Sequence, residues 1–220
     1  MEFHLRYRGP LPPNGSPAAK ADIREYLSHQ LADLFQTARQ LRQVSLPWMR
    51  VATAMTGGNP TLAPAPAGLN VGPGIAAAQQ GAHSELFYKF SIGRYTFIPL
   101  VTRLHGLVCE IDITFLRRDE PGAIINTGGD IDNRLKTLFD ALRIPHQAGE
   151  LGRSTNPGDP LEIFCLLEDD VLITRLRVQT GRLIGPLHSS GTPEAPADVE
   201  LHIHVRVKVN QGTIANLDFL

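Results

Sequence analysis

The run VELHIHVRVKV, Val199 to Val209, leaves the chain little choice. Leu201, Ile203, Val205, Val207 and Val209 alternate with His202, His204, Arg206 and Lys208. Successive side chains of a strand point to opposite faces, so this period of two predicts a strand with one buried face and one wet face. Such a strand needs sheet partners and an apolar layer to cover it. The same alternation recurs in FHLRYRG, Phe3 to Gly9, and in GLVCEIDITFLRR. In the latter, Cys109, Ile111, Ile113 and Phe115 point one way and Glu110, Asp112 and Thr114 the other. ELFYKFSI, RYTFIPLV, LEIFCLLEDD and VLITRLRVQT read as further strands.

Helical periods appear twice. Ser16 followed by Pro17 is an N-cap and first-turn pair, and Ile23, Leu27, Leu31, Leu34, Ala38 and Leu41 then recur at helical spacing. The opposite face of that helix, with Lys20, Arg24, Arg39 and Arg42 among acids, is expected to be solvated. The second helix follows GGDIDNRLKTLFDALR, Gly128 to Arg143. There Ile131, Leu135, Leu138, Phe139 and Leu142 form an apolar arc that must pack on a sheet. Runs of strands around one central helix predict an α+β fold.

Between Ala52 and Ala82 the chain shows neither period, and Gly57 to Gly81 is expected to be mobile or to lie over the surface. With 42% hydrophobic residues in 220, the remainder can bury a core, so we expect one domain over 1–220 with 16–84 as a helical and Pro/Gly/Ala-rich insertion. Net charge is −1, so no global field draws the chain to a polyanion, and any such partner must meet a local basic patch. Cys109 and Cys165 sit in apolar runs without CxxC spacing and read as small buried hydrophobes. The opening MEFHLRYRGP has no apolar leader core, and no apolar run approaches the ~18 residues of a membrane span. A soluble, cytoplasmic protein without membrane contact is the expectation.

Asp130 and Asp132 stand at the mouth of the second helix, and Asp132, Lys136 and Asp140 continue along it at intervals of four with Asn133 beside them. Capping explains one aspartate, at about 1 kcal/mol. It does not explain Glu168, Asp169 and Asp170, three adjacent acids between two apolar strands. They repel one another unless a positive group compensates or the turn is solvated. A hard divalent cation takes carboxylate oxygens, water and substrate phosphate, and phosphodiester hydrolysis uses such a cluster to activate water. A lysine one turn along would hold a phosphate or stabilise developing charge.

DIDNRLKTLFDAL followed by LEDDVLITRLRV resembles the RusA family of Holliday junction resolvases, metal-dependent endonucleases of bacteria and their phages. The pattern is Asp-x-Asp-Asn-x-x-Lys, then Asp-Ala-Leu, then Asp-Asp. It is met here by Asp130, Asp132, Asn133, Lys136, Asp140, Ala141, Leu142, Asp169 and Asp170. The first strand with its PLPPN corner is also similar, and the likeness covers about half of the chain. The resemblance implies a RusA-like mixed sheet packed on the central helix, with the N-terminal helix and long insertions added. It also implies that Asp130, Asp132 and Asp170 hold Mg²⁺, with Mn²⁺ as a substitute, and that Lys136 is the catalytic lysine. Asn133, Asp140 and Asp169 would support them. A homodimer would then resolve four-way DNA symmetrically in recombination and repair, as a prophage-type enzyme.

In that reading Arg117, Arg118, Arg134, Arg175, Arg177, Arg206 and Lys208 contact DNA phosphates. The competing reading is a catalytically inactive RusA-like module that binds nucleic acid or protein within a mobile-element or defence system. Neutral charge and long insertions favour it, and the intact acids oppose it. A small-molecule phosphohydrolase on the same cluster has little specific support. His202 and His204 are expected on a solvated strand face, His146 has no assigned role, and Trp48 is expected to pack.

Overall fold

The computed structural model describes residues 1–38, 41, 89–118, 131–152, 161–184, 198–212, 216 and 219. Asp130, Trp48 and the Gly57–Gly81 stretch lie outside the described residues. The elements run β1 (Glu2–Pro10), α1 (Pro17–Thr37), β2 (Phe90–Ile92), β3 (Tyr95–Val101) and β4 (Leu107–Arg117). Then follow α2 (Ile131–Leu142), β5 (Leu161–Leu167), β6 (Ile173–Arg182) and β7 (Asp198–Val209), with short 3-10 turns at Ala148–Glu150 and Asp170–Leu172. The fold is α+β, as its periods indicate.

The alternating strands form one sheet in the order β1-β7-β4-β6. β7 runs antiparallel to both β1 and β4, while β6 runs parallel to β4. The inward set is buried as its period demands: Leu5 and Tyr7, Cys109 to Phe115 at alternate positions, and Leu201, Ile203, Val205 and Val207. The outward face carries cross-strand charge pairs. Glu110 faces Arg206, and the Arg206 guanidinium reaches Asp112 at 3.0 Å and Glu110 at 3.6 Å. Each such exposed pair stabilises by about 0.2–1 kcal/mol, so this face sets register more than it sets stability.

A second sheet, β2-β3-β5, pairs β3 with β5 in parallel and β2 with β3 antiparallel. It keeps a small core of its own from Phe97, Ile144, Leu151 and Cys165. Both helices pack into the main core, and α1 also meets β5 of the second sheet. α2 buries Leu135, Leu138, Ala141 and Leu142 in the main core, with Ile131 and Phe139 packed against it. α1 adds Ile23, Leu27 and Leu31 to the same core, so this helix is a structural wall of the domain. It begins as the dipeptide dictates: the Ser16 hydroxyl accepts from the Ala19 amide at 3.2 Å, with Pro in the first turn.

The corner between β1 and α1 is fixed on α2. The Gly15 amide donates to Thr137 Oγ1 at 2.8 Å, and both residues are buried. A Cβ at position 15 would stand 2.6 Å from Thr137 Cγ2, so only glycine fits this approach. The buried Arg134 donates to the Leu11 carbonyl beside it. Thr137→Val leaves a buried N–H unpaired and is expected to cost about 1–3 kcal/mol in urea unfolding. Thr137→Ser, which keeps the acceptor, should cost clearly less; equal losses would show that the hydrogen bond is not what fixes the corner.

Candidate metal centre

The first turn of α2 presents its acid to solvent. Asp132 is exposed and its Oδ1 accepts from the Asn133 amide at 2.9 Å, while Lys136 one turn on is exposed as well. Acid at this end complements the helix dipole. The stripe changes character at its far end. Asp140 is half-buried and held by Lys20 of α1 at 2.7 Å and by Arg143 at 2.9 Å. Burial pushes the Asp140 carboxyl up, but the hydrogen bonds and charges of Lys20 and Arg143 outweigh it and hold it below the usual carboxylate range. Asp140 is thus a structural anchor.

The acidic turn after β5 meets α2 at this same end. The Ile144 amide donates to the Leu167 carbonyl at 3.1 Å, which seats Glu168 to Asp170 beside the residues that follow the helix. Asp169 caps the 3-10 turn through Val171 N–H at 3.2 Å and pairs with Arg103 at 3.0 Å. The Arg103 amide also donates to Glu168 at 2.8 Å. Arg103 pairs with the turn directly, and the charges of Arg143 and His146 also act on its acids. Sequence reasoning missed Arg103, because it stands in the turn between β3 and β4, where neither period operates.

Asp169 and Asp170 are shifted in opposite directions. Burial raises Asp170, and the hydrogen bond with Asp169 and the charge of that neighbour raise it further. Burial also pushes Asp169 up, yet the Val171 amide, the hydrogen bond with Asp170 and the charge of Arg103 together hold it low. The charge of Asp140 acts on Asp170 in the raising direction. Asp132 stands eight residues before Asp140, about 12 Å along the helix axis at 1.5 Å per residue.

Among the described residues, no group of three His, Cys, Asp or Glu side chains is arranged to hold a metal ion. Of the three expected ligands, Asp132 and Asp170 are exposed on the surface and Asp130 lies outside the described residues. Carboxylate oxygens are the donors that a hard cation takes.

The expected phosphate contacts divide sharply. Arg117 and Arg134 are 6% and 3% exposed, so as surface phosphate contacts they are corrected: each guanidinium is packed inside the protein. Arg175 lies 3.5 Å from Glu110, Lys208 also pairs with Glu110, and Arg206 is engaged by Glu2, Glu110 and Asp112. Arg118 and Arg177 are exposed. On the same sheet face the His4 and His204 rings stack at 4.4 Å, His204 reaches Glu2 at 3.3 Å and His202 reaches Glu200 at 3.1 Å. His202 is exposed and His204 partly so, on the wet face that their period indicates.

Because the Asp140 carboxyl is depressed, its pairing stabilises the fold above the ordinary aspartate value and is lost as pH falls through the folded one. Asp140→Asn is therefore expected to lose about 1–3 kcal/mol at pH 7. The gap to wild type should narrow below about pH 4 and close at still lower pH. Urea unfolding across that range measures it, and a gap that does not change with pH would rule out the ion pair as its source.

No family model matches this chain, and no curated protein or solved structure is significantly similar to it.

Proposed function

We propose that this chain is a Mg²⁺-dependent, structure-selective DNA endonuclease that resembles RusA and acts on four-way junctions as a homodimer. The observation that carries the reading is the Asp169–Asp170 pair. The charge of Asp169 makes its neighbour Asp170 harder to ionise, and a divalent cation relieves that crowding of carboxylates. Asp132 and Lys136, exposed on one stripe of α2, supply a further carboxylate and a cation for phosphate.

In this reading Asp130, Asp132 and Asp170 hold the metal. When bound, Mg²⁺ supplies Lewis acidity toward the phosphodiester and activates water. The Lys136 ammonium holds a nonbridging phosphate oxygen as charge builds on it. Asp169 stays committed to Arg103 and the Val171 amide, which fixes the direction of its neighbour. Asp140 ties the end of the helix that carries the stripe. A twofold substrate calls for two equivalent sites, hence the dimer.

A second reading is favoured by one observation. The outward basic residues Arg175, Arg206 and Lys208 already meet carboxylates, which weakens the case for an open phosphate-binding face and suits a non-catalytic binding module. Single-turnover cleavage of a mobile four-way junction in Mg²⁺, beside a gel shift in Ca²⁺, separates the two. The nuclease reading expects wild-type cleavage and an Asp132→Asn variant that still binds the junction yet cuts it at least about a hundredfold more slowly, ~2.7 kcal/mol of transition-state stabilisation. Wild-type-level cleavage by the variant removes Asp132 from the mechanism. Binding without cleavage by the wild type establishes the module.

A further inference from the structure

A groove of about 130 Å³ lies between α1 and the β2-β3-β5 sheet, away from the acids of α2's first turn. Tyr95, Phe97, Phe164, Ile163 and Leu151 make an apolar wall, and Arg24 lines the opposite side. An apolar cavity of ~150 Å³ takes benzene, so this one suits a body the size of a single ring.

Arg24 is the unusual member. It is only 4% exposed, and its Nη2 donates to the Asp140 carbonyl at 2.8 Å. Its Nε is buried and has no hydrogen-bond partner among the described residues. The carboxylates whose fields reach it are Glu150 and Asp140, and these are already engaged by Arg143 and Lys20. Cys165 lies near enough to be felt, but burial pushes its thiol up to about 12, so it stays neutral at pH 7 and supplies no counter-charge. A guanidinium does not shed its proton to escape burial, and an unpaired buried donor costs about 1–3 kcal/mol. The guanidinium is therefore left with an unpaired donor and no carboxylate of its own among the described residues.

We propose that this groove binds a small organic monocarboxylate with a flat apolar body, its carboxylate meeting Arg24 and its body lying against Tyr95, Phe97 and Phe164. The lining selects against higher charge. Glu25, Glu162 and His29 also line the groove, and Lys89 at 2.7 Å offsets Glu162. A phosphate dianion would meet those carboxylates, whereas a monoanion carries its one charge inward.

Phenylacetate serves as the probe and 2-phenylethanol as its neutral counterpart, each titrated into the full chain while the amide resonances of Tyr95, Phe97 and Phe164 are followed. The expected result is saturable phenylacetate binding at those residues, at least about tenfold tighter than the alcohol. Arg24→Gln should abolish that difference. Ala32→Leu, which keeps Arg24 and fills the groove from α1, should block both probes and covers the case in which the arginine variant does not fold. Equal affinity for acid and alcohol in the wild type overturns the proposal, as does phenylacetate binding that survives Ala32→Leu.

Discussion

The Asp140 carboxylate is the interaction on which the arrangement depends. A charge withdrawn from water must be paired or it destabilises the fold, and here the partners come from two directions. Lys20 reaches it from α1 and Arg143 from the residue after α2. Arg143 then spans to Glu150 and to the Ile144 carbonyl, so the turn leading toward β5 is drawn into the same knot. Arg24 adds a bond to the Asp140 main chain. With this end of α2 fixed, the position of α1 over the small sheet follows, and so does the groove that α1 walls.

The same knot grades the polar stripe of α2 from structure to solvent. At the C-terminal end the stripe is occupied by ion pairs; at the N-terminal end Asp132 and Lys136 face water. The acidic turn is anchored next to the structural end, where Asp140 and Asp169 both make it harder for Asp170 to lose its proton. A cation held by the turn would relieve the crowding that these carboxylates impose on one another. On the sheet's outer face, by contrast, the cations already have partners: Glu110 meets Arg175, Arg206 and Lys208, and Glu2 and Asp112 also meet Arg206.

Much of the scaffold was legible in the residues because it rests on local periods. The alternation in β1, β4 and β7 named their buried faces correctly, and Ser16–Pro17 opened α1 where expected. The apolar arc of α2 is the face that packs. What the sequence hid is non-local. That β3 pairs with β5 and β4 with β6, both in parallel and in separate sheets, depends on crossovers that no short window contains. Asp140 belongs to the acid pattern in sequence, yet its partner Lys20 is 120 residues away. Arg24, Arg117 and Arg134 read as surface charges because an arginine looks the same in sequence whether its guanidinium meets water or a buried carbonyl.

The proposed nuclease requires the mouth of α2 and the Asp169–Asp170 turn to share one cation. Mn²⁺ broadening of the Asp132 amide resonance, compared between the wild type and Asp170→Asn, tests it most directly. A shared cation predicts saturable broadening of Asp132 together with Asp170 in the wild type, with affinity for Mn²⁺ at Asp132 falling at least about tenfold when the turn loses its carboxylate. Unchanged broadening at Asp132 in Asp170→Asn would show two independent acidic features and contradict a shared centre.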